Sequence, residues 1–369
     1  MRLRLTRIET YVLGYTLLGF AAALAILTTV VALVDFVEIS RAVNGRADVG
    51  YGEILRLTAL NVPSVILVLF PFAFLFGVLG AFVDLNRKSE LIAMRAAGVS
   101  AWRFIFPAAG AAFAIGVLTV TVFNPLVSVM NAQFERERTA LMEGVQSNGL
   151  KDIWLRQGDA HTQIVVRARS GDDDHGMLRL KNVSLFMFTL DQRGGAAQFS
   201  RRVEAGEAWL MPGMWRLTDV REATPGAEAM RYDTLTIPSK LDPRTALERY
   251  VSPKGVPFWQ LWGAIARNEQ AGFSATGYEL QLQELLATPL LFAAMSILAA
   301  AFSLRLIRLG GDATLAGAGL AIGFFLFFVD QVCGALGEAN AVPPFAAAWT
   351  PPILALLSGF TLLCYTEDG

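Results

Sequence analysis

Long apolar runs without charged residues alternate with polar segments along this chain. A helix needs about 20 residues to cross roughly 30 Å of hydrocarbon, because it rises about 1.5 Å per residue. Six runs approach or exceed that length: residues 11–34, 57–83, 104–134, 285–304, 313–329 and 339–366. The fifth is short, but apolar residues continue beyond Asp330 to Leu336. The pattern predicts six membrane-spanning helices, three on each side of a polar middle segment.

The middle segment has a different pattern, in which short β-prone runs are separated by turn residues. The predicted strands are residues 152–155, 163–166, 183–189, 197–203, 208–211, 215–220 and 235–237. Many short strands without helices favour a sandwich or a jelly roll. Two helices, over residues 244–250 and 257–270, are predicted to return the chain to the membrane.

The predicted fold class is therefore an α-helical membrane protein with six transmembrane helices (3+3) and an inserted all-β jelly-roll-like domain. The expected segments are residues 1–134, 135–278 and 279–369. Composition agrees, since 54% of residues are hydrophobic and 17% are charged, against about 25% charged in soluble domains. Residues 135–284 hold 39 of the 63 charged residues, which fits a polar domain outside the bilayer.

Composition also disfavours several kinds of chemistry. The net charge of −1 lacks the basic excess of nucleic-acid-binding proteins. Cys333 and Cys364 are the only cysteines, so neither a disulfide scaffold nor a paired-cysteine zinc site is expected. His161 and His175 have no partner at metal-ligand spacing. No G-x-x-x-x-G-K-[ST] loop occurs, so the chain itself is not expected to hydrolyse ATP. We expect no catalytic residue, no metal and no cofactor.

Basic residues between the predicted spans indicate the orientation of the chain, because cytoplasmic loops carry an excess of Lys and Arg. They precede span 1, lie between spans 2 and 3, and lie between spans 4 and 5: Arg2, Arg4, Arg7, Arg87, Lys88, Arg95, Arg103, Arg305 and Arg308. These three segments fall on one side of the membrane. We expect both termini to be cytoplasmic and residues 135–280 to lie outside the cytoplasm.

The loop between spans 2 and 3 has the pattern of a short capped helix. Ser89 is placed to cap its beginning, Glu90 falls in its first turn, and Gly98 is placed to end it. Leu91, Met94 and Arg95 then share a face. A short charged helix between two spans suits docking into a groove of a partner, while an ordinary interfacial loop is the alternative.

Several short motifs resemble the LptF/LptG family of lipopolysaccharide-export permeases. They are Lys-Ser-Glu-Leu at 88–91 with Met-Arg-Ala-Ala-Gly-Val-Ser at 94–100, Val-Asp-Phe-Val-Glu at 34–38, Phe-Pro at 70–71, Asp-Gln at 330–331 and Val-Pro-Pro at 342–344. The resemblance covers essentially the whole chain, including the 3+3 topology and the β insertion. The pieces at 34–38 and 330–331 are more similar to the LptG branch than to LptF.

The resemblance implies a non-catalytic membrane subunit of an ATP-driven extractor in the bacterial inner membrane. Its implied partners are an LptF-like permease subunit, two copies of a cytoplasmic LptB-like ATPase and an LptC-like periplasmic bridge protein. The complex would take lipopolysaccharide from the outer leaflet of the inner membrane. A periplasmic β domain would receive the lipid and join neighbouring β domains edge to edge.

The resemblance also implies roles for particular residues. Glu90 matches the acidic position that couples to the ATPase, on a helix at about residues 87–97, where the further candidates are Arg87, Ser89, Leu91, Met94 and Arg95. Spans 1 and 5 would form lateral gates, where the candidates for lipid contact or gating are Asp35, Phe36, Arg41, Gly319, Gly323, Phe324, Phe327 and Asp330.

Three of these candidates have alternative interpretations. Some relatives carry a lysine where this chain has Asp35, so Arg41, and with it Arg46, would have to supply the cation for a lipid phosphate. Gly319 and Gly323 are spaced for close helix approach, and packing inside one subunit explains that spacing equally well.

Other functions also fit parts of the sequence. The chain fits the paralogous LptF-type subunit, and a secondary transporter or a membrane sensor fits less well. A secondary transporter would favour broken half-helices around charges at the membrane midplane, but Asp330 is the one charge within a predicted span. A sensor would have a larger cytoplasmic domain.

Overall fold

A computed structural model describes residues 7–43, 50–143, 150–158, 162–174, 177–189, 198–239, 255–270, 274–306 and 312–367. The chain divides into two compact units. The first consists of Met1–Glu137, Gly255–Leu261 and Thr276–Gly369, and the second of Arg138–Lys254 and Trp262–Ala275. The predicted helix at 244–250 and Arg46 lie outside the described residues, as do the surroundings of Gly319.

Six helical stretches in the described residues are long and apolar enough to cross a membrane. The helices are α1 Arg7–Val43, α2 Tyr51–Arg87, α3 Glu90–Ala96, α4 Ala101–Leu118, α5 Asn124–Glu143, α6 Phe258–Gln270, α7 Thr276–Leu306, α8 Asp312–Glu338 and α9 Pro344–Glu367. A π-helical turn, Thr119–Phe123, joins α4 to α5, so these three segments form one span. The prediction of six spans in a 3+3 arrangement is confirmed, and so is the helix expected at 257–270.

The π-helical turn in the third span has an identifiable cause. Pro125 has no N–H to donate to the carbonyl of Thr121, four residues earlier. The indole N–H of Trp259 donates to that carbonyl instead, at 3.0 Å. Next to it, Asn124 Oδ1 accepts the backbone N–H of Phe258 at 3.0 Å and so caps the first turn of α6. The beginning of α6 is therefore fixed to the third span by two hydrogen bonds.

The second unit contains one antiparallel sheet in which successive strands are neighbours, in the order β1-β2-β3-β4-β5-β6. The strands are β1 Leu150–Gly158, β2 Thr162–Asp174, β3 Met177–Thr189, β4 Gln198–Met211, β5 Met214–Ala223 and β6 Met230–Pro238. An all-β insertion between the two helical triplets is confirmed. The strands are fewer and longer than predicted.

The strand boundaries differ from the prediction because the alternation of inward and outward residues shifts once within each of β2 to β5. On β3, Leu180 and Val183 are both buried and face inward, although two residues rather than one separate them. The cross-strand partners of this pair on β2, β4 and β5 show the same spacing. Asn182 and Asp219 take positive φ angles of 52° at this line. The positions of this shift lie next to one another on β2 to β5, and each of these strands continues past its shift.

The sheet is rolled, because its two edge strands meet through side chains. Gln157 on β1 is buried, and its Oε1 accepts a hydrogen bond from Ser239 Oγ, directly after β6, at 2.6 Å. The same oxygen lies 3.4 Å from the indole nitrogen of Trp215 on β5. The first and last strands of a flat six-stranded sheet would be too far apart for such contacts, since strands are spaced by about 4.8 Å. One face of the sheet therefore encloses an apolar core.

Candidate functional site

The segment between the second and third spans begins and ends with defined backbone geometry. Gly98 has a φ of +80° and follows the last turn of α3. Its N–H bonds the carbonyl of Arg95 at 2.9 Å, and the N–H of Val99 bonds that of Met94 at 3.1 Å. This pair of bonds is the Schellman motif that ends helices at a glycine. The sequence prediction that Gly98 ends the helix is confirmed.

The beginning of α3 differs from the prediction. Ser89 occupies the N-cap position, but its φ is +58° and its side chain makes no capping hydrogen bond. A capping serine needs extended backbone angles to bring its hydroxyl over the first turn, and the left-handed conformation of Ser89 does not provide them. The helix is also shorter, Glu90–Ala96, than the expected 87–97.

Most of α3 lies at the surface while one side chain anchors it. Leu91 is buried to 3% exposure in the helical core, and Met94 packs against the same core. Arg87 and Ser89 are exposed, and Ile92 is 59% exposed. Leu91 and Met94 therefore fix the position of α3 on the helical core, and the charged and apolar side chains around it are available to a partner.

The beginning of α3 and the residue pair before it contact the first turns of α1. The Tyr11 hydroxyl lies within hydrogen-bonding reach of the Glu90 carboxylate. Lys88 Nζ donates to the Tyr15 hydroxyl oxygen at 2.7 Å and to Asp84 Oδ2 at 2.8 Å. These bonds, that to Asp84 first, raise the pKa of Lys88 and keep it charged.

A further ion pair and a hollow complete this region. Arg103 at the start of α4 places its Nε 3.4 Å from Glu9 Oε1. Between α1 and α3 lies a hollow of about 360 Å³, lined by Arg7, Ile8, Tyr11, Glu90, Ala93 and Met94. The predicted coupling residue Glu90 thus lines a concave surface shared by two helices. We call residues 84–103 the coupling segment.

A second and larger concavity runs between α1 and α2. This groove has a volume of about 650 Å³ and is lined by Phe20, Ala21, Leu24, Ala25, Thr28, Thr29, Ala32, Leu33, Phe36, Leu55, Thr58, Val62 and Ile66. The hydroxyls of Thr29 and Thr58 donate to carbonyls of their own helices, so they offer little polarity to the groove. The lining suits an apolar ligand. We call it the α1–α2 groove.

The candidate residues at the end of span 1 take different places around this groove. Phe36 lines it. Asp35 is held inside the chain, because the amide of Asn61 on α2 donates to its Oδ2 at 3.0 Å. Arg41 is exposed near the end of α1. The structure therefore brings Asp35 and Phe36 together with α2 and leaves Arg41 at the surface.

The candidates on span 5 separate into packed and exposed residues. Gly323 is buried, and a Cβ there would lie 2.8 Å from the side chain of Leu75 on α2, so this glycine permits packing within the subunit. Phe327 contacts Phe72, also on α2, with ring centroids 5.6 Å apart. Phe324 is 70% exposed, and Asp330 is exposed as well.

The first and fifth spans are the least covered of the six. In the most apolar stretch of α1, 6% of the residues are buried, and in that of α8 the figure is 17%, against 39 to 67% in the other four spans. Apolar helices with so little cover present large surfaces to lipid or to another membrane protein. The two spans expected to act as gates are thus the two with the most surface to offer.

Several residues of this site were not singled out from the sequence. Tyr11, Tyr15 and Asp84 contribute its contacts, but they lie near the ends of predicted spans, where tyrosines and charges are common in any membrane protein. Only their contacts with residues of other segments distinguish these three side chains from ordinary residues at the ends of spans. Asn61 was likewise missed, although a polar residue inside an apolar span is a signal worth testing.

Comparisons with known proteins agree with these observations. A sequence model of the family "Lipopolysaccharide export system permease LptF/LptG" matches residues 10–365. The lipopolysaccharide export system permease protein LptG of Haemophilus influenzae is 25% identical over 374 residues, which covers 96% of this chain and 98% of that protein. The protein of the same name from Escherichia coli K12 is 22% identical over 312 residues, covering 83% and 84% of the two chains.

Proposed function

The chain belongs to the LptF/LptG family of lipopolysaccharide export system permeases, and from this we propose that it is the LptG-type membrane subunit of an ATP-driven complex. The complex extracts lipopolysaccharide from the outer leaflet of the inner membrane. The lipid then passes through the β domain of this chain to a periplasmic bridge protein. Both termini and the coupling segment are cytoplasmic, and the β domain is periplasmic.

The observation that carries this proposal is the α1–α2 groove on a span with little cover. A lipid leaving a bilayer needs apolar surface that is open to the side, because each methylene exposed to water costs about 0.8 kcal/mol. The groove offers such surface over nearly half of α1, from Phe20 to Phe36. Acyl chains are the part of lipopolysaccharide that this lining fits.

The second supporting observation is the coupling segment. The chain has no phosphate-binding loop of its own, so the energy of ATP must come from a separate subunit. Leu91 anchors α3, while Glu90 at its first position is half-buried and Arg87 at the end of α2 is exposed. This arrangement suits contact with the basic and apolar walls of a groove in another protein. Two copies of an LptB-like ATPase are the proposed partners, one for this chain and one for an LptF-like subunit.

The LptG type is favoured over the LptF type by a specific finding. Both described relatives are LptG proteins, and one of them aligns with 96% of this chain. In the proposed complex the poorly covered α1 and α8 face the LptF-like subunit, and an LptC-like protein receives the lipid.

Reversing the charge of Glu90 tests the function directly. The complex is purified with its native ATPase and reconstituted in vesicles, and lipopolysaccharide release is measured against ATP hydrolysed. Glu90→Lys places a like charge against the partner surface, which costs several kcal/mol at an interface, so we expect release to fall by about ten-fold or more. Glu90→Gln keeps the contact with Tyr11 and separates the loss of charge from the loss of that contact.

The matched control is Glu228→Lys in the exposed turn between β5 and β6, which makes the same change in charge far from α3 along the chain. It is expected to release lipid like the parent. Parent-level release by Glu90→Lys would refute the coupling role. A parent chain that purifies without any ATPase would refute the proposed function itself.

A further inference from the structure

We propose that α6 is a membrane-surface helix, whose Trp259 and Trp262 lie in the headgroup layer of the bilayer that the six spans cross. The occupant of this exposed face is lipid. The inference goes beyond the proposed function, because it requires only that the spans lie in a membrane. It assigns a lipid-binding surface to a helix that the proposed function does not use.

The two faces of α6 differ in burial, although apolar residues lie on both. The residues of one face are buried: Phe258, Leu261, Ala264 and Asn268. The opposite face follows three- and four-residue spacing, and its residues are exposed: Trp259, Trp262, Gly263 and Ala266. Trp259 is 63% exposed and Trp262 is 48% exposed, whereas tryptophan is highly buried on average. Two such rings on one helix face need an apolar or interfacial partner.

The beginning of α6 is held at the level where the third span leaves the hydrocarbon. The indole N–H of Trp259 donates to the carbonyl of Thr121 at 3.0 Å. Arg103, near the start of the same span, marks one boundary of the hydrocarbon, because a charge inside it is costly. Thr121 lies about 27 Å of helix beyond Arg103, at about 1.5 Å per residue, and the hydrocarbon is about 30 Å thick. Trp259 is therefore bonded to the span at the opposite boundary.

A contact with a different span gives a similar level. The side-chain amide of Gln281 on α7 donates to the carbonyl of Val256, just before α6, at 3.3 Å. Gln281 lies about 36 Å along α7 from Arg305, at the other end of that span. This point is about 6 Å beyond the hydrocarbon, within a headgroup layer of about 5–7 Å on each side. Trp349 donates to Gln283 on α7 at 3.0 Å, so another tryptophan lies at this level, as in the aromatic belts of membrane proteins.

The exposed face of α6 continues the apolar surface of the third span. Leu118, Val122 and Leu126 lie around Thr121 on that span and are 57 to 61% exposed. Residues so apolar and so exposed within a span face lipid or another membrane protein. Trp259, bonded to Thr121, extends the same surface to headgroup level. This continuity and the interfacial level of Trp259 favour lipid as the occupant.

The tryptophan face continues along α6 and has a cation at its border. The first compact unit includes α6 only up to Leu261, but the helix is continuous, so Trp262 lies within one turn, about 5.4 Å, of Trp259. A Cβ added to Gly263 would lie 3.1 Å from a guanidinium nitrogen of Arg267. Aromatic rings beside a cation are typical of helices that lie in the membrane interface, where the lipid phosphates are anionic.

Site-directed spin labelling of the full chain measures where this face lies. Cys333 and Cys364 are replaced by serine, and single labels are placed at Gly263 and Ala266. The chain is studied alone and with its native partners, in vesicles of phosphatidylethanolamine and phosphatidylglycerol. Collisions with oxygen, which concentrates in lipid, are compared with collisions with a water-soluble nickel chelate. We expect both labels to be immersed by about 5–10 Å. A label at Glu228, in the exposed turn between β5 and β6, is the control and is expected to collide mainly with nickel.

A matched pair of charge substitutions tests whether the tryptophan face holds the helix at this level. Trp262→Glu places a carboxylate on that face. Immersing half of a large apolar side chain is worth roughly a factor of ten, so we expect nickel collisions of the Ala266 label to rise by about that factor. Gln260→Glu adds the same charge to the exposed side of the same helix, away from the centre of the tryptophan face. It is expected to retain the parent depth.

The outcomes decide between lipid, water and protein. If the labels at Gly263 and Ala266 collide mainly with nickel in the parent, α6 lies in water and the proposal is overturned. If oxygen reaches them in the chain alone but neither reagent reaches them with the native partners bound, a protein covers the face and the proposal is likewise overturned. Immersed labels in the parent support it, even where Trp262→Glu fails to insert. No outcome depends on the export of lipopolysaccharide, so the proposed function is tested separately.

Discussion

Replacing Gln157 by leucine tests whether the β sheet is held in its rolled form by side chains at its two edges. Gln157 lies on β1 and is 6% exposed. Its Oε1 accepts from Ser239 at 2.6 Å and lies 3.4 Å from the Trp215 indole nitrogen. Leucine has a similar volume but no acceptor, so Gln157→Leu removes these bonds without leaving a large cavity.

The expected magnitude follows from the two buried donors. A buried donor deprived of its acceptor costs about 1–3 kcal/mol. The contact with Trp215 is long and counts at the low end, so together we expect a loss of about 2–3 kcal/mol. Because about 1.4 kcal/mol corresponds to a factor of ten, opening of the rolled sheet is expected to become about 30- to 140-fold more frequent.

Hydrogen exchange followed by mass spectrometry measures this opening in the full chain. The amides of β1, Leu150–Gly158, and of residues 230–237 in β6 are expected to exchange faster by that factor, because local opening sets their rate. The control is Gln198→Leu at the exposed beginning of β4, which makes the same change outside the core. The reasoning is refuted if β1 and β6 exchange at the parent rate in Gln157→Leu.

Two further predictions concern the helical elbow and the β domain. Asn124→Ala removes the side-chain oxygen that accepts the Phe258 N–H at 3.0 Å, so hydrogen exchange at the start of α6 is expected to rise by about ten-fold. The control Asn131→Ala removes only a 3.4 Å contact with Ser64 and is expected to have a smaller effect. Equal effects of the two variants would contradict this prediction. The hydrogen bond from Arg179 holds the pKa of Glu207 below its usual 4.5, so its ionised form stabilises the fold above that value and the contribution is lost as pH falls through the lowered pKa. The melting temperature of Glu207→Gln is therefore expected to lie below that of the parent near neutral pH and to approach it in acid, with Glu228→Gln as control; a difference that does not vary with pH would contradict the assignment.

The six spans could be predicted because a helix that crosses the bilayer must be long and apolar, and both properties can be read directly from the sequence. About 20 residues without charge are needed to cross hydrocarbon. Five of the predicted runs lie within a helical stretch that forms a span, and the sixth, 339–366, starts five residues before α9 begins at Pro344. The fifth run needed its extension past Asp330, and α8 does continue to Glu338. Helix ends were less predictable, since α1 and α2 extend well beyond their apolar runs.

The strand boundaries of the β domain could not be predicted from a strict alternation of inward and outward residues. The shift in alternation at Asn182 and Asp219 places two outward residues in succession inside a strand. Read along one strand, such a shift has the same pattern as a strand end, so β4 was divided at 203 and 208. Only the neighbouring strands, which shift at the paired positions, show that the sheet continues.

The coupling segment was predicted by its charges and its glycine, but its contacts were not. Gly98 ends α3 as expected, whereas the left-handed backbone of Ser89 removes the side-chain cap that its residue type suggests. No local pattern indicates that Glu90 meets Tyr11 or that Lys88 meets Tyr15, because these pairs join segments that are far apart in the chain. Such contacts depend on the crossing of α1 and α2, which sequence spacing does not specify.

The contact between Asp35 and Asn61 limits what the end of span 1 does in the proposed function. A carboxylate repels the phosphate groups of lipopolysaccharide, and here its Oδ2 is already occupied by the Asn61 amide at 3.0 Å. Phe36, the next residue, lines the groove instead. In the proposed function we therefore expect this part of α1 to make an apolar contribution to lipid binding. We expect the exposed Arg41 or the proposed LptF-like subunit to supply the cation for a lipid phosphate, with the headgroup outside the groove and the acyl chains in it.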